Sequence, residues 1–111
     1  MQHQKQGSVD VLDLAGPLTK DTISGFVETI QLHCYGQGQP RAVINMQDTA
    51  LVDSAGLEAL LDMQDEFESR GGAMKLAAPN PLCKDILVVS GLAHEFEVFD
   101  NVNRAVGSFA H

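Results

Sequence analysis

An α/β fold is predicted, with a mixed, largely parallel β-sheet of roughly four to five strands covered by about four helices. Three observations carry this expectation. Short apolar runs of strand type alternate with longer stretches of helical periodicity, the helical stretches begin at capping residues, and they stop at glycine or proline. Strands and helices alternating at this length imply βαβ crossovers, which place consecutive strands parallel.

Val9, Val11, Leu12 and Leu14 precede Gly16-Pro17 and read as the first strand. Their alternation slips between Val11 and Leu12, as in a strand with a bulge or with both faces covered. Gln2 to Gln6 carry no apolar alternation, so residues 1–7 are expected to be poorly defined, either frayed or a strand polar on both faces. Thr19 is positioned to cap a helix in which Ile23, Phe26, Val27, Ile30 and Cys34 recur at i, i+3, i+4, i+7 and i+11. Gly36, Gly38 and Pro40 then stop it, and Arg41 to Met46 supply the next strand.

The stretch Val43 to Gly72 organises the rest: a strand, a polar turn from Asn45 to Thr49, and an amphipathic helix after Asp53-Ser54. Leu57, Leu60, Leu61 and Phe67 share one face of that helix, interrupted by Gln64. Either Asp53 or Ser54 is its N-cap, worth about 1 kcal/mol. Gly71-Gly72 end it, and Glu66 and Arg70 form an i,i+4 pair in its last turn. Lys75 to Ala78 form a strand before Pro79. Asn80-Pro81 start another helix, with Leu82, Ile86 and Val89 as its stripe and Gly91 at its end. Phe96 and Val98 alternate in a last strand, and Val102, Ala105, Val106 and Phe109 mark a terminal helix capped by Asp100 or Asn101.

The 111 residues hold no internal repeat and no linker, so one domain spanning 1–111 is expected, able to bury about 65% of its unfolded surface. Fifteen acidic against seven basic residues give a net charge of -8, which repels phosphate backbones and argues against a nucleic-acid partner. Met1 to Gly7 are polar, and the longest aliphatic run, Ile86 to Val89, is far too short to cross a bilayer, so no direct membrane insertion is expected. Cys34 and Cys83 lack C-x-x-C spacing and read as buried, reduced thiols of a cytoplasmic protein.

Signals for catalysis are weak. Asp53 and Ser54 are adjacent, but no G-x-S-x-G surrounds the serine and no motif ties a histidine to it, so no enzyme is expected. His3, His33, His94 and His111 lack metal-ligand spacing, and no metal is implied. Gly36-Gln37-Gly38 and Gly71-Gly72 lack the lysine and the strand-to-helix setting of a phosphate-cradling loop, so no cofactor is expected.

The run V-D-S-A-G-L at Val52 to Leu57 is followed by an amphipathic helix, a Gly-Gly stop, a short strand at Met74 to Ala77, Pro79, and a helix ending in Ser90-Gly91-Leu92. This ordered series resembles the STAS domain, and more narrowly the single-domain bacterial anti-sigma factor antagonists, over roughly residues 8 to 109. The resemblance implies that an anti-sigma factor doubling as a serine kinase binds the chain, phosphorylates Ser54 and lets go, and that a serine phosphatase resets it. The partner-binding residues so implied are Thr19, Asp53, Ser54, Ala55, Gly56 and Glu58. The family also has a short edge strand before the first strong one.

Two positions depart from the family pattern. After Gly16 the antagonists have an acidic residue, an aliphatic one and then an aspartate thought to engage the kinase, where this chain has Pro17, Leu18 and Thr19. The residue after D-S-x-G-L is often glycine and here is Glu58. From the residues alone, Ser54 reads first as a plain N-cap, and the resemblance is what makes it a phosphorylation site. A phosphate there would meet free N–H groups and the positive end of the helix dipole, worth roughly 0.3–1 kcal/mol. The alternative implied function is an unphosphorylated STAS subunit docking on a membrane transporter or another complex.

Overall fold

The computed structural model describes residues 1–36 and 38–110. Five strands, β1 (Gln2–Gln6), β2 (Val9–Asp13), β3 (Arg41–Asn45), β4 (Ala73–Ala77) and β5 (Val98–Phe99), form one sheet in that order. β1 runs antiparallel to β2, and every other neighbouring pair is parallel. The helices are α1 (Ile23–His33), α2 (Ser54–Ser69), α3 (Pro81–Val89), α4 (Leu92–Glu95) and α5 (Val102–Gly107), with a closing 3-10 turn at Ser108–Ala110. The expected mixed, mostly parallel α/β fold is what the chain adopts.

The sheet is covered on both faces. Leu12 and Leu14, Ala42 and Ile44, and Met74 and Leu76 pack against Phe26 and Ile30 of α1, Leu60 and Phe67 of α2, Cys83 and Leu87 of α3, and Leu92 of α4. On the opposite face Val9, Val11, Val43 and Ala77 meet Ala105 of α5, with Phe99, Val102, Val106 and Phe109 packed around them. The slip in the Val9 to Leu14 pattern is thereby explained. β2 keeps a regular register with β1 and β3 and is buried on both sides, so apolar residues occupy consecutive positions without a bulge.

Several expectations are corrected. Residues 1–7, read as poorly defined, contain β1, a strand polar on both faces that is placed by backbone pairing from Gln2↔Asp13 to Gln6↔Val9. Helix α1 begins at Ile23, because residues 19–22 first wind a turn in which the Thr19 carbonyl accepts from the N–H groups of Thr22 and Ile23. On α2 the fully buried side chains are Leu60 and Phe67, with Gly56 and Ala59 beside them, while Leu57 and Leu61 are half-buried. The inward stripe of α3 is Cys83 and Leu87; Leu82 and Val89 are exposed. Helix α4 was missed, since four residues are too few to show a period.

The helix ends behave as local chemistry requires. Asn80 and Asn101 accept from the N–H groups of Cys83 and Arg104 and so cap α3 and α5. At the end of α2 the N–H of Gly72 bonds to the Phe67 carbonyl and that of Gly71 to the Glu68 carbonyl, with Gly71 at φ 78°. This is a Schellman ending. The next residue is glycine for a different reason: a Cβ on Gly72 would collide with the Pro40 carbonyl.

Candidate functional site

The site lies past the C-terminal end of β3, where three segments are fastened together. Between β2 and α1 the chain runs beside residues 48–53 through a short parallel ladder. The N–H groups of Gly16 and Leu18 donate to the carbonyls of Asp48 and Leu51 at 2.9 Å each, and those of Ala50 and Asp53 donate back to Gly16 and Leu18 at 3.1 Å each. The Thr49 hydroxyl, fully buried, donates to the Leu14 carbonyl. The start of α3 joins through Asn80, whose Nδ2 donates to the Thr49 carbonyl at 2.8 Å.

Asp53 connects this platform to α2. Its Oδ1 accepts from the Gly56 N–H at 2.8 Å, which makes it the N-cap, and its Oδ2 accepts from the Lys20 N–H at 3.2 Å. Of the two capping candidates, then, aspartate caps. Ser54 is the first residue of the helix and is exposed; among the described residues its hydroxyl forms no hydrogen bond. The plain-cap reading of Ser54 is corrected by this geometry, because the cap position is already filled.

The other predicted site residues fall into three settings. Gly56 is buried and Ala55 half-buried, so these two shape the helix start. Glu58 is exposed one turn beyond Ser54 and continues into exposed Asp62 and Asp65 at helical spacing, giving Ser54 an acidic stripe behind it. Thr19 is half-buried and turned inward on its own loop: its N–H donates to the Thr22 hydroxyl at 2.9 Å, and its Oγ1 accepts from the Asp21 N–H at 3.4 Å. The neighbouring Lys20, not Thr19, contacts Asp53.

Sequence reasoning gave Leu18, Lys20, Leu51 and Leu82 no part in the site. The carbonyl of Leu18 occupies the space a side chain on Gly56 would need. Leu51 and Leu82 are 40% and 53% exposed, on the two segments tied at Thr49. The exposure of Leu82 had no local signal, since it falls in the apolar stripe read as the inward face of its helix.

Among the described residues no histidine is hydrogen-bonded to Ser54. Cys83 is buried with its Sγ 3.4 Å from the Thr49 carbonyl, and burial pushes its thiol pKa up. Cys34 is pushed up to about 12, first by burial and then by the Asp10 carboxylate, with Lys5 opposing. His3 stacks on His33 and places Nε2 2.7 Å from Asp10 Oδ1, which engages both rings at the β1 edge. His111 and Gln37 lie outside the described residues. Among the described residues no helix is long and apolar enough to cross a membrane.

Comparison with known proteins supplies the family. The STAS domain matches residues 1–105. No curated protein sequence matches the chain. Among solved structures, a proposed anti-sigma factor antagonist of Thermotoga maritima superposes with a TM-score of 0.91 at 17% identity, covering 99% of this chain and 94% of that one. The anti-sigma factor antagonist SpoIIAA in its unphosphorylated form gives 0.78 at 19% identity over 98% and 95%. The STAS domain of a SulP transporter from Vibrio cholerae gives 0.78 at 17% identity over 96% and 84%. At these identities the structural likeness concerns the fold, which antagonists and transporter domains share. With the family match spanning residues 1–105 and the sheet, helices and Asp53-capped α2 in place, this chain belongs to the STAS domain family.

Proposed function

We propose that the chain is a cytoplasmic anti-sigma factor antagonist working by partner switching. Unmodified, it binds an anti-sigma factor that is also a serine kinase and so frees the sigma factor; phosphorylated on Ser54 by that kinase, it lets go, and a serine phosphatase restores it. The observation that supports this most is Ser54 itself, exposed at the first position of α2 with its hydroxyl unused because Asp53 is the cap. Removing that hydroxyl's proton to accept a phosphoryl group disturbs no packing.

Thr19, Asp53, Ser54, Ala55, Gly56 and Glu58 form the proposed partner face, and exposed Lys20, whose N–H donates to Asp53, lies beside them. Phosphoserine would bring about 1.5 to 2 negative charges beside Asp53 and Glu58. At about 6 Å and an effective dielectric of 20 to 80, each such pair repels by roughly 0.7 to 3 kcal/mol. A partner seated on this face would have to desolvate these like charges together, which weakens the complex. The role is one of binding and switching, without catalysis by this chain. The decisive experiment incubates the protein with ATP and its cognate anti-sigma factor kinase and locates the phosphate by mass spectrometry. One phosphate, on Ser54, supports the reading, and phosphate elsewhere refutes it.

A second reading, a STAS subunit docked on a transporter, is favoured by Thr19, which stands where the antagonists carry an aspartate and is turned into its own loop. Its signature would be copurification with a membrane complex and no phosphate on Ser54.

A further inference from the structure

The opposite end of the parallel strands carries a feature that the switch does not use. Lys75 of β4 is 8% exposed, on the face covered by α5. Its ammonium lies 2.7 Å from Ser108 Oγ, 2.9 Å from Glu97 Oε2 and 4.2 Å from the centre of the Phe109 ring. Arg41, paired in register with Ala73 at the start of the adjacent strand, rises from the same face of the sheet and lines the same open cleft of about 290 Å³. Among the described residues no carboxylate lies within 4.0 Å of the Arg41 guanidinium, whose side-chain contact is Ser8 Oγ at 3.4 Å.

This arrangement inverts the sign of the protein locally. In a chain of net charge -8, two of its seven basic residues face one cleft whose single lining carboxylate, Glu97, is 66% exposed at the rim. The local sum is one positive charge. A planar guanidinium with free donors matches an oxyanion in two-point fashion, and a partly desolvated ammonium beside it strengthens the attraction. The Phe109 ring supplies an apolar wall, and the volume is at the lower end for small-ligand pockets, about 300 Å³.

We propose that the cleft between Arg41, Lys75 and Phe109 binds a small monocarboxylate with a compact apolar body. The carboxylate pairs with Arg41 and shares Lys75 with Ser108, the body lies on Phe109, and the single negative charge neutralises the site. The test is an NMR titration of the isotope-labelled full chain with benzoate, with benzamide as its neutral counterpart and inorganic phosphate as an anion lacking the body. Benzoate is expected to give saturable shifts at Gly72, Ala73, Lys75 and Ser108 with a Kd on the order of 1 mM, and benzamide and phosphate none. Arg41→Gln should weaken benzoate at least about tenfold, while Glu97→Gln, which removes the competing carboxylate, should tighten it. A merely structural disturbance would not move the two variants in opposite directions. Absence of saturation, equal binding of benzamide or phosphate, shifts centred on Ser54, or an unchanged Kd in Arg41→Gln would each overturn the assignment.

Discussion

The carbonyl oxygen of Leu18 sits where a Cβ on Gly56 would have to be, and the same carbonyl accepts the Asp53 N–H at 3.1 Å. One backbone group thus sets how closely the loop before α1 approaches the start of α2. It explains why the Asp-Ser-Ala-Gly run needs glycine at its fourth position, although glycine costs a helix up to about 1 kcal/mol relative to alanine.

Gly56→Ala is therefore expected to destabilise the protein by about 1–3 kcal/mol through overpacking, against the helix propensity that favours it. Denaturant titration reads this directly. A stabilised variant would mean that the Leu18 loop moves away freely.

Asp53→Ala should cost about 1 kcal/mol, and somewhat more if the Lys20 N–H is left without a partner, since the carboxylate serves two donors. Ser54→Ala should lie within about 0.5 kcal/mol of wild type, as an exposed residue with no bond to lose. Equilibrium unfolding of both variants tests the order, and a larger loss at Ser54 would give that side chain a structural role.

Binding should separate Ser54→Ala from Ser54→Asp. With the kinase partner in a calorimeter, Ser54→Ala should retain wild-type affinity and Ser54→Asp should lose roughly 1–3 kcal/mol through repulsion by like charges and desolvation. Equal affinities would remove the electrostatic basis of release and favour the transporter-subunit reading.

Along α2, Leu60→Ala should cost about 2–5 kcal/mol, because Leu60 is fully buried between helix and sheet. Leu61→Ala should cost distinctly less, since Leu61 is only partly buried at the edge of that core. Parallel thermal and urea unfolding would show the gap.

At alkaline pH the buried thiols become a liability. Cys34 keeps its proton to about 12 in the native state and loses it near 9 when unfolded. Between those values the unfolded state binds fewer protons, so this group leaves stability unchanged below pH 9 and lowers it progressively above. Cys34→Ser should flatten that alkaline decline in a series of unfolding curves. Iodoacetamide at neutral pH should label neither cysteine until the chain is unfolded.

By itself the sequence determined the α/β class, the order of the elements from β2 onward apart from the four-residue α4, and the starts of α2, α3 and α5, because caps, helical periods and glycine stops act within a few residues of chain. It also brought out Asp53 and Ser54 as a pair. Only the tertiary structure decided between them, since the choice depends on where Asp53 finds the Gly56 and Lys20 N–H groups, the latter 33 residues away. Gln2–Gln6 became a strand through the backbone of β2, a partner that side-chain pattern does not encode. Leu82 and Val89 turned outward because Cys83 and Leu87 took the sheet-facing side of α3, and a short apolar helix offers more than one such stripe. Lys75 was buried, and Arg41 brought beside it, by pairing β3 with β4, a contact between distant segments on which local sequence is silent.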